Sequence, residues 1–273
     1  RLPLEHGSDR CKTLGKRVSD DSRHVIRRRP NQKKLQSKDR LTAEGFNRSF
    51  GRTSSRLTLE EQAKLDERLT PWSLPGYIIG QPEAAKLELP HAPITLEIGI
   101  GNGQALFERA KADPATHQIG IEVYKNGLKS LLHKLDAAKE QATPIKNISI
   151  VCDDARDVLQ ALPEDSVDKV MVLYPDPWPK ARHHKRRIVQ KEFLDRVHRV
   201  LKEDGELFLA TDITGYAWWM LREVLSHGGF SPNANAPQDM AIPPKGWVET
   251  KYEKKARKEG RLHSWYLSFS STP

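Results

Sequence analysis

Acidic residues recur in this sequence just after short apolar runs, where they are well placed for chemistry. Glu97 precedes the glycine cluster Gly99-Ile100-Gly101-Asn102-Gly103, Glu122 closes a second run, Asp153-Asp154 follow a third, and Asp176 lies after a fourth. An ionised carboxylate only accepts hydrogen bonds. Glu122 at the end of the second run is placed to accept from ribose hydroxyls, and an acid at the third can meet the amine of adenine. The glycines allow a sharp turn and close approach of a ligand to the main chain at Gly99 and Gly101. They depart from the dinucleotide pattern G-x-G-x-x-G, whose last glycine is here Gln104, which lowers a nicotinamide reading without removing it. A single carboxylate is more often just a solvated charge; three at equivalent positions point to an adenosine with a free ribose. In Tyr174-Pro175-Asp176-Pro177-Trp178-Pro179-Lys180 three prolines stiffen the chain, so Asp176 and Trp178 form a fixed carboxylate and aromatic plate suited to a flat base.

Those groups can converge only if the runs before them are neighbouring strands. Periodicity predicts strands over 94–98, 118–122, 147–151, 167–173 and 206–210, with a last one around 265–269. Helices are predicted over 104–111, 126–139, 155–162, 190–201 and 216–225. The run 167–173 is apolar almost throughout, as expected of a central strand covered on both faces. Thr58 followed by Glu61 reads as a capping box, opening a short amphipathic helix with Leu59, Ala63, Leu65 and Leu69 inward and Pro71 as its stop. Alternating strands and helices argue for a doubly wound, mostly parallel α/β sheet that binds ligands at the carboxyl ends of its strands. Trp218 and Trp219 fall within a helix, one expected in the core and the other at the surface.

The chain of 273 residues has a formal net charge of +9, a balance that suits a polyanion partner. Residues 1–56 hold 16 Lys and Arg against 6 Asp and Glu and are expected to be a basic, mostly disordered arm, with the catalytic domain over 57–273. A second basic strip runs from Lys180 to Lys191. Cys11 and Cys152 are the only cysteines, so no structural disulfide and a reducing, cytoplasmic setting are expected. No run approaches the ~20 apolar residues of a membrane span. The neighbours His183 and His184 lack acidic or cysteine partners nearby, so no metal is expected.

The sequence resembles the bacterial tRNA (guanine-N7)-methyltransferases from about Thr95 to the C-terminus. The resemblance rests on Leu96-Glu97-Ile98-Gly99, Gly120-Ile121-Glu122-Val123, Pro175-Asp176-Pro177-Trp178 with the basic run after it, Thr211-Asp212, and Thr250-Lys251-Tyr252-Glu253. It implies a Rossmann-like S-adenosylmethionine-dependent methyltransferase fold with a seven-stranded, mostly parallel sheet. It also implies that Glu97, Glu122, Asp154 and Asp176 contact S-adenosylmethionine, Asp176 being the catalytic carboxylate. Lys180, Asp212, Thr250, Lys251, Tyr252 and Glu253 would approach the substrate nucleotide. Arg182, His183, His184, Lys185, Arg186 and Arg187 would touch tRNA. The expected product is 7-methylguanosine in the tRNA variable loop, made by a monomer without an obligatory partner. The alternatives are methylation of an exocyclic amine in RNA, a non-catalytic RNA-binding subunit on the same fold, and a nicotinamide oxidoreductase, for which no hydride machinery is evident.

Overall fold

The computed structural model describes residues 57–139, 144–261 and 263–273. All belong to the second of the chain's two units, Ser37–Pro273. The expected basic arm lies outside the described residues.

The first helix, α1 (Leu59–Leu69), starts at the capping box read from the sequence: Thr58 Oγ1 accepts from the Glu61 N–H at 3.1 Å and Glu61 Oε2 accepts from the Thr58 N–H at 2.7 Å. Leu65 and Leu69 are buried, but Leu59 and Ala63 stand in solvent, so only the C-terminal half of the helix docks.

Seven strands follow: β1 (Ile94–Ile98), β2 (His117–Ile121), β3 (Ile148–Val151), β4 (Val167–Leu173), β5 (Leu201–Thr211), β6 (Phe230–Pro232) and β7 (Trp265–Ser271). They form one sheet in the order β3-β2-β1-β4-β5-β7-β6. The first five are parallel; β7 runs antiparallel to both of its neighbours, β5 and β6, so β6 at the edge points the same way as the first five. The remaining helices are α2 (Gln104–Ala112), α3 (Lys125–Lys139), α4 (Ala155–Ala161), α5 (Lys191–Val200), α6 (Thr214–His227) and α7 (Lys251–Lys258).

Side-chain alternation divides the core between the two faces of the sheet. Val170 and Val172 of β4 join α4, α5 and α6 through Val158, Phe193, Leu194 and Met220. Met171 and Leu173 point the other way, to Phe208 and Tyr266. On the β3 side, Ile148 and Ile150 meet Leu65 of α1, Leu106 of α2 and Leu131 of α3. Each buried Leu, Ile, Val or Phe stabilises by about 1.5–3 kcal/mol. The strand order reverses between β1 and β4. The register Ile98↔Ile121 and Ile98↔Val172 brings the carboxyl ends of β2, β1 and β4 level, opening a crevice where the crossovers diverge. Among the described residues, no helix is long and apolar enough to cross a membrane.

Candidate active site

A cavity of about 540 Å³ occupies that crevice. Ile98, Ile121, Val172 and Leu173 supply apolar walls, and Glu122, Asp153, Asp154 and Asp176 supply carboxylates. No lysine or arginine among the described residues lines it.

The loop after β1 carries Gly99, Gly101 and Gly103 at φ of 77°, 57° and 65°, a region costly for side chains with a Cβ. At Gly103 a Cβ would also stand 2.8 Å from that of Leu131, so the turn into α2 needs glycine twice over. The loop delivers the Gly101 N–H to Glu122 Oε2 at 2.7 Å, while the Tyr124 N–H reaches Oε1 at 2.8 Å. Glu122 is thereby fixed between the β1 and β2 loops, each oxygen keeping a lone pair for a ribose hydroxyl. Burial pushes its carboxyl up, against the pull of the backbone donors.

Asp154 caps α4, its Oδ1 accepting from the Arg156 N–H at 3.0 Å. Its Oδ2 is buried and has no hydrogen-bond partner, a costly arrangement unless a donor arrives. The neighbouring Asp153 is already engaged by the Tyr77 hydroxyl at 3.0 Å and the Gly80 N–H at 2.7 Å, which pins the segment before β1 beside the cavity. The orphaned acceptor at Asp154, the doubly anchored Glu122 and the apolar walls between them fit an adenosine: amine to Asp154, ribose to Glu122.

Asp176 stands at the mouth. The residue is exposed, yet protein crowds its carboxyl enough for desolvation to push its pKa up, with the Arg186 guanidinium pulling it down. Tyr174 and Trp178 bracket it at φ of 52° and 40°, so the chain turns sharply on both sides. The Trp178 indole does not present a free plate for a base. The Arg186 guanidinium lies 3.7 Å from its centroid, and His183 meets it edge-on at 5.8 Å.

Gly99, Glu122, Asp154, Asp176 and Tyr252 all line this one cavity. Gly101 joins through its N–H and through the Tyr252 ring packed over it, 3.4 Å from where a Cβ would lie. Other residues take different places. Glu97 is buried on β1 and pairs with Arg109 of α2 instead of lining the cavity. Thr250 and Glu253 keep their side chains inside. Thr250 caps α7, while Glu253 accepts from Trp247 Nε1 at 2.8 Å and the Tyr266 hydroxyl at 2.6 Å. Together they fix the helix start that holds Tyr252 over the glycine loop. Lys251 is exposed beside it, and Asp212 pairs with Arg261.

In the basic run, Lys180, Arg182 and Lys185 are exposed, and His183, His184 and Arg186 are half-buried. Arg187 is not a surface residue. It is buried, donates to the Pro177 carbonyl at 2.9 Å and stacks on Tyr216 and Trp219 at 5.0 and 4.5 Å. Tyr124, Tyr174 and Ile188 line the cavity unforeseen. Tyr124 lies two residues after Glu122 and Tyr174 two before Asp176, whereas Ile188 carried no local signal. Among the described residues, no cluster of three or more His, Cys, Asp or Glu could hold a metal.

A parallel sheet whose order reverses at β1/β4, with a glycine turn after β1 and acids closing β2 and β3, defines the Rossmann-like methyltransferase class. The family model described as "Putative methyltransferase" matches residues 91–264. The tRNA (guanine-N(7)-)-methyltransferase of Rhizobium etli is 41% identical over 222 residues, covering 81% of this chain and 94% of that protein. Its namesake from Roseobacter denitrificans is 41% identical over 227 residues, with the same coverage of both. The solved 16S rRNA methyltransferase KamB superposes with a TM-score of 0.48 at 14% identity, over 81% of this chain and 98% of that one, a distance at which no residue can be carried across. The chain belongs to the bacterial tRNA (guanine-N7)-methyltransferase family.

Proposed function

We propose that this protein transfers the methyl group of S-adenosylmethionine to N7 of a guanine in the variable loop of tRNA, giving 7-methylguanosine in the cytoplasm. The observation that carries this reading is the set of carboxylates that lines one cavity: Glu122, Asp154 with its unpartnered Oδ2, and Asp176 from the loop after β4. These acceptors match the donors of an adenosyl group on one side and of a guanine edge on the other.

S-adenosylmethionine, when bound, supplies a methyl group activated by a sulfonium charge. Glu122 and Asp154 hold the nucleoside half, and Tyr252 closes over the glycine loop. Guanine N7 has a lone pair and no proton, so the chain needs no general base. Asp176 acts by position and charge: it accepts from the N–H donors of the guanine, aligns N7, and stabilises the positive charge that develops on the purine. Lys180, Arg182 and Lys185 beside the mouth hold the RNA backbone.

The test is incubation with unmodified tRNA and labelled cofactor, followed by digestion and mass spectrometry. Label is expected as 7-methylguanosine at one variable-loop position, with Asp176→Ala lowering kcat by about 10²- to 10³-fold, the loss typical of one preorganised electrostatic group. Label on an exocyclic amine would assign the fold a different target, and RNA binding without transfer would favour a non-catalytic subunit.

A further inference from the structure

A second cleft, of about 700 Å³, lies on the other side of the Asp176 loop. Pro177 and Pro179 form one wall, and the start of α6 forms the other through Gly215, Trp218, Trp219 and Arg222. Its lining contrasts with that of the first cavity: it contains Arg187, Arg222 and His184 and no carboxylate among the described residues. The two adjacent tryptophans do different work. Trp219 is built in, its Nε1 donating to the Val189 carbonyl at 2.9 Å and its ring stacked with Arg187 and Arg222 at 4.5 and 4.6 Å. Trp218 is 61% exposed, an unusual cost for a large apolar ring.

We propose that this cleft is a stacking subsite for one unpaired nucleotide of the RNA substrate, with the Trp218 indole as its platform. The inference rests on the reading that the chain methylates RNA. Three observations select this occupant. A flat π-face beside the Arg187 and Arg222 guanidiniums, the latter paired with Glu223 at 2.7 Å outside the lining, complements the ring of a base with its phosphate near the cations. The volume suits one base with its sugar. The loop after β4 serves both sites, with Pro175 and Asp176 lining the candidate active site and Pro177 and Pro179 lining this cleft, so a strand presenting its guanine at Asp176 passes an adjacent nucleotide along this wall. Stacking reads no sequence, so the subsite would hold the displaced strand whichever base flanks the target.

The test uses the full chain, unmodified tRNA and three variants. Trp218→Ala is expected to raise KM for tRNA by about tenfold or more, the loss typical of removing one base stack, with kcat at saturating tRNA and cofactor affinity unchanged. Trp218→Phe keeps an aromatic face and should recover most of the loss. Gly215→Leu adds bulk at the cleft from a position where a Cβ meets nothing within 4 Å; with its thermal unfolding midpoint unchanged, it should mimic Trp218→Ala. Fluorescence polarisation of labelled tRNA without cofactor should show the same ranking of affinities. That binding assay decides the subsite even if the wild-type protein transfers no methyl group, which would instead count against the proposed function. Unchanged tRNA affinity in both Trp218→Ala and Gly215→Leu would overturn the proposal. So would weakened binding accompanied by a lower molecular mass on size exclusion, because Trp218 would then cover a second copy of the chain.

Discussion

The two oxygens of Asp154 have different environments, which lets two functions be separated at one residue. Oδ1 caps α4 and Oδ2 is buried without a partner. Asn caps helices about as well as Asp, whereas loss of a cap to Ala costs about 1 kcal/mol. Asp154→Asn is therefore expected to unfold at nearly the wild-type temperature yet bind S-adenosylmethionine about tenfold more weakly by calorimetry, while Asp154→Ala loses both affinity and stability. At Asp176 the balance is electrostatic: desolvation pushes the carboxyl up and Arg186 pulls it down. The working form is the carboxylate, so kcat/KM should fall as pH drops through a value above the ordinary Asp range of about 3.9. Arg186→Ala should move that acid limb to higher pH and Arg186→Lys should leave it in place; a limb unmoved in both would remove Arg186 from the site's electrostatics. For folding the sign is opposite to that of activity. A carboxyl whose pKa is raised in the folded state contributes stability below its unfolded pKa, and loses it as pH rises through the folded value. Asp176 and Glu122 therefore make the ligand-free protein less stable towards neutral pH.

The loop after β4 depends on an element that sequence reading assigned to RNA. Tyr174 and Trp178 adopt left-handed backbone angles, a strain of about 1–3 kcal/mol each that persists only if the surroundings enforce it. Arg187 does so, holding the Pro177 carbonyl while its guanidinium stacks on Tyr216 and Trp219 of α6. Arg187→Ala should lower the unfolding free energy in urea by about 1.5–3 kcal/mol, in line with a buried hydrogen bond to a charged group, and reduce kcat as Asp176 loses its fixed place. Arg187→Lys should not rescue either quantity, because an ammonium lacks the planar fork that donates and stacks at once. If Arg187→Ala altered only the affinity for tRNA, the clamp would be refuted. Thr250 and Glu253 act similarly at α7, fixing a helix start so that Tyr252 lies over the glycine loop.

For the whole molecule the relevant quantity is the distribution of charge. The net +9 is concentrated in residues 1–56, with 16 basic against 6 acidic residues, while the cavity itself is lined by carboxylates. The excess positive charge thus belongs to a stretch of sequence separate from the residues that line the cavity, where the polar lining is rich in carboxylates. Deleting residues 1–56 should flatten the plot of log affinity for tRNA against log salt by about 0.7–0.9 for each phosphate that the arm neutralises, with kcat unchanged. An unchanged slope would assign the attraction to exposed basic residues of 57–273, Lys180, Arg182 and Lys185 among them.

The sequence by itself determined the succession of strands and helices and the acids at the strand ends. Both are written locally, in periods of 2 and 3.6 and in the glycines and prolines that punctuate them. The α1 capping box, β4 and the Glu122 and Asp154 positions were all legible in this way. The short edge strand β6 and the helix α7, whose Lys251–Lys258 segment is almost wholly charged, carry too little apolar pattern to be read alone; they exist because β7 and the Glu253 hydrogen bonds hold them. Only the tertiary structure decided that Arg187 and Glu97 are internal, that Arg186 covers Trp178, and which of Trp218 and Trp219 faces solvent. Those outcomes depend on what stands opposite each side chain, and the opposing groups come from elements distant in the chain.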